Sequence, residues 1–246
     1  MKFSLEHPVK IVMLGAGGTG GYAAPHIYRL IHTLRRPVQF FITDGDIVEE
    51  KNLVRQNFIR ADLGRNKAAV MAERYASAFG MEIAYLPEFI ENESVLTSLV
   101  TPDARQEELV VLIGAVDNNK SRQMCHSVFM RAKDLVYIDS GNGQYTGQVI
   151  CGIRRGGRTY YKPIGTLYPD VLEDTDKFPT ELSCAEAAIS APQSVVANVM
   201  AATVILSYLY DILVLGDITV RNVTFSTKMI HMKPETAKRK KPRKAA

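Results

Sequence analysis

Cysteine is scarce in this chain of 246 residues, which has three, Cys125, Cys151 and Cys184. None belongs to a CxxC pair, so neither a disulfide framework nor a cysteine-rich zinc site is supported, and a reducing, cytoplasmic setting is expected. An apolar h-region is missing from the opening MKFSLEHPVK, so no secretory signal is expected. A charge-free membrane span is missing as well. The nearest approach, Val195 to Leu215, contains Asn198, Ser207 and Asp211 and follows Pro192, which reads as a buried core helix. Internal repeats are absent. With 46% hydrophobic and 23% charged residues the chain is of ordinary soluble, globular composition and long enough for a sizeable core.

A net positive charge is lacking outside the end of the chain. The last fourteen residues, KPETAKRKKPRKAA, carry seven basic residues and one acidic one, more than the whole formal net charge of +4. That composition cannot build a core, so one folded domain over residues 1–232 and a disordered basic tail over 233–246 are expected. The tail reads either as a solubilising extension or as a contact for nucleic acid or another acidic partner.

What is present centres on Lys10 to Gly21, KIVMLGAGGTGG. Ile11 to Leu14 reads as a buried parallel strand, Gly15 to Gly20 as a tight turn, and Thr19 onward as a helix reaching Arg35. Glycines let the backbone come close to a phosphate, and the free N–H groups of a helix start favour its charge. The next strand, Val38 to Thr43, ends in Asp44, an acidic residue placed to accept hydrogen bonds from ribose hydroxyls. NAD, FAD and ATP all satisfy these features.

Further on, strands and helices alternate. Lys67 to Gly80 has helical spacing, Ile83 to Leu86 reads as a strand, and Asn92 to Val100 as a short helix. Leu109 to Val116 is an apolar strand, Asn119 to Lys133 a helix, and Leu135 to Asp139 a fifth strand. This rhythm implies an α/β, Rossmann-like, mostly parallel sheet. Its C-terminal part is antiparallel: Thr146 to Arg154 and Arg158 to Lys162 read as a hairpin through Arg155-Gly156-Gly157. Pro163 to Ser183 reads as an acidic surface loop, and Ile218 to Ser226 as the last strand.

In a parallel sheet the carboxyl ends of the strands share one crevice, so Asp44, Asp46, Asn52, Arg55, Gln56, Lys67 and Asp117 are expected to meet. Arg55 and Lys67 can neutralise phosphate charge and Asp117 can hold Mg²⁺, needs that a triphosphate has and a dinucleotide lacks. Singly, each has a plainer role: solvated surface cations, turn residues at Asp44 and Asp46, a helix cap at Asp117.

LGAGGTGG, TDGDIVEEKNLVRQ, GRNKA and AVDNNKSR, in this order, resemble the ThiF/MoeB/ubiquitin-activating-enzyme superfamily, and the similarity continues through SGNGQYTGQV and SCAEAAISAPQSVVANVMAA. It is greatest with the bacterial ThiF-like members, among them those of plasmid-borne PRTRC clusters. The resemblance implies an ATP- and Mg²⁺-dependent adenylyltransferase that activates the C-terminal carboxylate of a small ubiquitin-like or sulfur-carrier protein, working as a homodimer. It assigns ATP to Gly15, Gly17, Gly18 and Gly20, the ribose to Asp44, and the phosphates to Asn52, Arg55, Gln56 and Lys67. Arg55 would stabilise charge at the attacked α-phosphate and Asp117 would position Mg²⁺. Cys184, in ELSCAEA, stands where family members have a cysteine that attacks the acyl adenylate to give a thioester or persulfide-linked intermediate, although a small packing residue would also fit there. The paired CxxC motifs of a family zinc site are absent. A non-catalytic nucleotide-binding scaffold, and adenylation of a non-protein carboxylate such as that of a modified tRNA base, remain as alternatives.

Overall fold

The computed structural model describes residues 1–181 and 193–236. Among these residues nine strands join one sheet in the order β3-β2-β1-β4-β5-β6-β8-β9, with β7 paired to β6. Strand β1 (Val9–Leu14) is the pivot, pairing in parallel with β2 (Val38–Thr43) on one side and β4 (Leu109–Gly114) on the other. Beyond them lie β3 (Tyr85–Leu86) and β5 (Leu135–Asn142), also parallel. The sheet then turns antiparallel through β6 (Thr146–Arg155), which carries both β7 (Arg158–Tyr161) and β8 (Val220–Ser226), and closes on β9 (His231–Thr236).

Both faces of the parallel part are covered, which is why residues 11–14 of β1 read as a continuous apolar run. Ile11 and Met13 point into one core, built with α1 (Gly18–His32), α2 (Lys67–Ala78) and α7 (Val195–Tyr210). Val12 and Leu14 point into the other, under α3 (Glu93–Leu99) and α4 (Asn119–Arg131). The alternation along the strand thus splits a uniformly apolar segment between two cores.

Three segments depart from the sequence expectation. The stretch read as a plain loop after Pro163 contains two short helices, α5 (Ile164–Leu167) and α6 (Asp170–Glu173), and a 3₁₀ turn at Pro179–Glu181. Four residues are too few to show a 3.6-residue period. The long apolar segment is an α-helix to Tyr210 and a wider π turn over Asp211–Leu215, ended by Gly216 at φ +62°. It is long and apolar enough to cross a membrane by length and composition, yet Ala197, Ala201, Ile205 and Leu209 pack in the core. Finally, β9 runs through 233–236, the first residues of the segment read as tail, pairing with β8. Residues 237–246 lie outside those described.

Candidate functional site

Because β1 has β2 on one side and β4 on the other, strand order reverses beside it, and the crevice that opens at the carboxyl ends of these strands is where open α/β sheets take their ligands. The turn after β1 is knitted to both neighbours: Gly15 donates its N–H to Thr43 O at 2.8 Å, and Ala115 donates to Leu14 O at 2.9 Å. Gly15 has φ +93°, and a Cβ there would stand 2.5 Å from Ala115 O. At Gly20 a Cβ would stand 2.0 Å from Gly15 O, so this glycine lets α1 pack against the turn. Gly17 differs: the nearest atom to a Cβ would be Gln56 Nε2 at 3.6 Å, and its side is otherwise open.

Helix α1 starts at this open side with no side-chain cap. Its first N–H groups and the positive end of its dipole are therefore left for a ligand, and an anion suits them. Gln56 beside it is buried, and its Oε1 has no hydrogen-bond partner. A buried amide oxygen without a donor implies a donor still to come.

Asp44, at the end of β2, is 5% exposed. Its Oδ2 accepts the Ala16 N–H at 2.6 Å and its Oδ1 the Asp46 N–H at 2.9 Å, tying the glycine turn to the next strand. Burial raises its pKa from an ordinary 3.8 to about 6, opposed by the charge of Lys67 and aided by that of Asp46. Lys67 opens α2 with a buried side chain whose Nζ donates to Asp46 Oδ2 at 2.7 Å. Asn66 caps the same helix, accepting the Ala69 N–H, and donates to the carbonyls of Asp44 and Asp46.

The segment between β2 and α2 folds into 3₁₀ turns at Glu50–Asn52 and Arg60–Asp62. Asn52 is buried and accepts the Glu49 N–H at 2.9 Å through its side-chain oxygen, so part of its hydrogen bonding goes to shaping the loop. Arg55 reaches Gln193 Oε1 at 3.1 Å. Asp117 follows Ala115 and Val116 out of β4, is exposed, and takes no hydrogen bond among the described residues. Its neighbour Asn118 is the residue that caps α4, accepting the Ser121 N–H at 2.8 Å, which leaves the Asp117 carboxylate uncommitted.

The structure thus brings Gly15, Gly17, Gly18, Gly20, Asp44, Asp46, Asn52, Arg55, Gln56, Lys67 and Asp117 to the carboxyl edge of β1, β2 and β4. No group of three or more His, Cys, Asp or Glu residues fit to hold a metal occurs among the described residues. One free carboxylate still fits Mg²⁺, which is commonly shared between substrate phosphates, water and a single protein ligand. Cys184 lies outside the described residues. Cys125 and Cys151 are buried, and burial raises the Cys125 thiol to about 12 and the Cys151 thiol further, so neither is a thiolate.

Sequence reasoning missed a second layer. Thr19 Oγ1 donates to Asn142 Oδ1 at 2.9 Å, Asn142 Nδ2 to Asn198 Oδ1 at 2.9 Å, and Asn198 Nδ2 to the Arg55 carbonyl at 3.2 Å. A Cβ on Gly18 would stand 2.6 Å from Asn198 Nδ2, so this glycine makes room for the network. The signal in the sequence is an asparagine inside a mostly apolar helix.

The ThiF family model matches residues 5–246. Among solved structures, PaaA superposes with a TM-score of 0.64 at 16% identity, covering 93% of this chain and 64% of that one. MccB from E. coli with succinimide gives 0.65 at 15% identity, covering 92% and 63%, and MccB with ATP gives 0.63 at 15%, covering 92% and 62%. This chain therefore spans less than two thirds of the length of those structures, and at such identity the likeness is one of fold. A comparison with curated proteins finds no match. With its glycine turn, its strand reversal at β1 and a family match along nearly its whole length, the chain belongs to the ThiF family.

Proposed function

We propose that this protein is an ATP- and Mg²⁺-dependent adenylyltransferase that activates the C-terminal carboxylate of a small ubiquitin-like or sulfur-carrier protein. The observation that carries the reading is the uncapped start of α1, lying against the open side of Gly17. It gives a polyphosphate both N–H donors and a place where a side chain would intrude. The ThiF family match and the fold shared with MccB, which has been solved with ATP and with AMPCPP together with MccA, support the same reading.

In the reaction a carboxylate oxygen attacks the α-phosphorus of ATP. The bond from that phosphorus to the bridging oxygen breaks, its electron pair leaves with pyrophosphate, and an acyl adenylate remains. Two anions must approach each other, so the site has to supply positive charge beforehand. Lys67 and Arg55 supply it in this reading. Lys67 is held ready by Asp46, with its alkyl chain buried. Arg55 is fixed through its carbonyl by Asn198. Asp44 holds the glycine turn and meets the ribose, Gln56 accepts a donor at the open side of Gly17, and Asp117 ligates the Mg²⁺ that accompanies the phosphates and offsets their charge. Attack of the Cys184 thiolate on the acyl carbonyl, with AMP leaving, would follow as a separate step. A second copy would cover the outer face of α7, where Val196 and Val199 are exposed.

ATP–pyrophosphate exchange tests the reading. A ubiquitin-like protein with a free diglycine end is expected to support exchange, and the same protein amidated at its C-terminus is expected not to. Exchange that ignores amidation would overturn it.

A further inference from the structure

In the motif AVDNNKSR the proposed chemistry leaves the second cation, Arg122 on α4, without a task. Its guanidinium is nearly buried and reaches four groups from three elements. Nη2 donates to Val116 O at 2.6 Å and to Ser140 O at 3.3 Å, and Nη1 donates to Asn119 Oδ1 at 2.9 Å. Nε lies 3.5 Å from Asp139 Oδ1. The turn from β4 to α4 is therefore pinned against the end of β5 by a single side chain.

The counter-ion is bonded more sparsely: Asp139 Oδ1 faces Arg122 Nε at 3.5 Å and has no hydrogen-bond partner. Asp139 is 1% exposed and its Oδ2 accepts the Tyr137 hydroxyl at 2.7 Å. Gly114, the last residue of β4, makes room for the pair: a Cβ there would stand 3.2 Å from Asp139 Oδ2 and 3.3 Å from the Tyr137 hydroxyl. A buried ion pair gives little net stability once desolvation is counted, so stability alone does not account for this one. Val116 is the residue before Asp117, and Asn118, the one after, is fixed as the cap of α4. Asp117 stands between two anchored neighbours, with its own carboxylate free.

We infer that Arg122, braced by Asp139, is a positioning residue that holds the Asp117 carboxylate where it receives the divalent cation accompanying a nucleotide. Arginine suits this because its planar fork serves several carbonyl oxygens at once, whereas lysine is a point charge. The inference rests on the proposed adenylation site and adds to it the device that sets its metal carboxylate.

Mn²⁺ titration at saturating ATP, followed by the EPR signal of free Mn²⁺, reads this site on the intact protein without turnover. The wild type is expected to retain Mn²⁺ beyond what ATP alone retains. In Arg122→Met/Asp139→Asn, which leaves no unpaired buried charge, half-saturation is expected at about tenfold higher Mn²⁺, as in Asp117→Ala. The triple variant is expected to show no further rise, because both changes disable one site. Arg122→Lys, which keeps the charge opposite Asp139 but cannot bridge the three acceptors, is expected to shift in the same direction and serves should the double variant fail to fold. Wild-type half-saturation in folded Arg122→Lys or in the double variant would overturn the inference and leave the adenylation reading standing, as would an additional tenfold loss in the triple variant. A wild type that retains no extra Mn²⁺ would overturn both.

Discussion

The side-chain amide of Asn142 donates to Oδ1 of Asn198 across 2.9 Å, joining the end of β5 to a helix whose other inward residues are almost all apolar. Asn198 is fully buried and passes the connection on to the Arg55 carbonyl, so one polar chain links two distant segments at the mouth of the crevice. Such a network rigidifies what it joins only if all its members are satisfied.

Asn198→Leu, which keeps the branching at Cγ, leaves the Asn142 amide and the Arg55 carbonyl without partners. A loss of about 1–3 kcal/mol in urea unfolding is expected, with weaker ATP binding because Arg55 loses its anchor. A variant as stable as the wild type would mean that the network contributes nothing.

The glycines of the turn divide into two kinds. Gly20→Ala would place a Cβ 2.0 Å from Gly15 O and should lower the melting temperature, whereas Gly17→Ala meets only Gln56 at 3.6 Å and should fold normally. Gly17→Ala is expected to lose ATP binding, because its methyl group occupies the approach. Unchanged affinity in the titration would show that the ligand does not pass there.

Asp44 gives the site a pH dependence whose sign is fixed by burial. Its folded pKa, about 6, lies above its unfolded value of 3.8, so the native state binds the extra proton between these limits and stability falls as pH rises from 4 to 6. The full effect is about 3 kcal/mol. Urea unfolding from pH 4 to 7 should show this component in the wild type and not in Asp44→Asn, so that the variant gains relative to the wild type over that window. Parallel profiles would contradict the assignment. A ribose hydroxyl donating to the carboxylate favours its ionised form, so ATP affinity should also weaken as pH drops below about 6.

Lys67→Met keeps the buried alkyl chain and removes the charge held at 2.7 Å from Asp46. ATP affinity is expected to fall about tenfold, the equivalent of one charge-assisted hydrogen bond. ADP and AMP show whether the contact is to the outer phosphates: a loss for ATP that is absent for AMP places it there.

Much of this architecture was legible in the sequence because the signals are local. Strand β2 spans Val38–Thr43, the bounds its sequence predicts, and the glycine spacing marks the turn without any knowledge of the sheet. The residues at the strand ends were legible because a parallel sheet converts order along the chain into neighbourhood in space. The Thr19–Asn142–Asn198 chain was not, since it joins positions far apart whose side chains are unremarkable singly. Strand β9 was hidden by composition: Lys233, Pro234 and Glu235 read as tail, and only pairing with β8 orders them. The roles of Asp117 and Asn118 are separated by geometry alone, since both residue types cap helices.

The central claim is that the crevice beside β1 takes Mg-ATP and not a dinucleotide, and isothermal titration of the intact protein with Mg-ATP and with NAD⁺ tests it without knowledge of the acceptor. Binding of Mg-ATP that Arg55→Ala and Asp117→Ala each weaken about tenfold is the expected result. Binding of NAD⁺ at an affinity indifferent to Asp117→Ala, with none of Mg-ATP, would contradict the account.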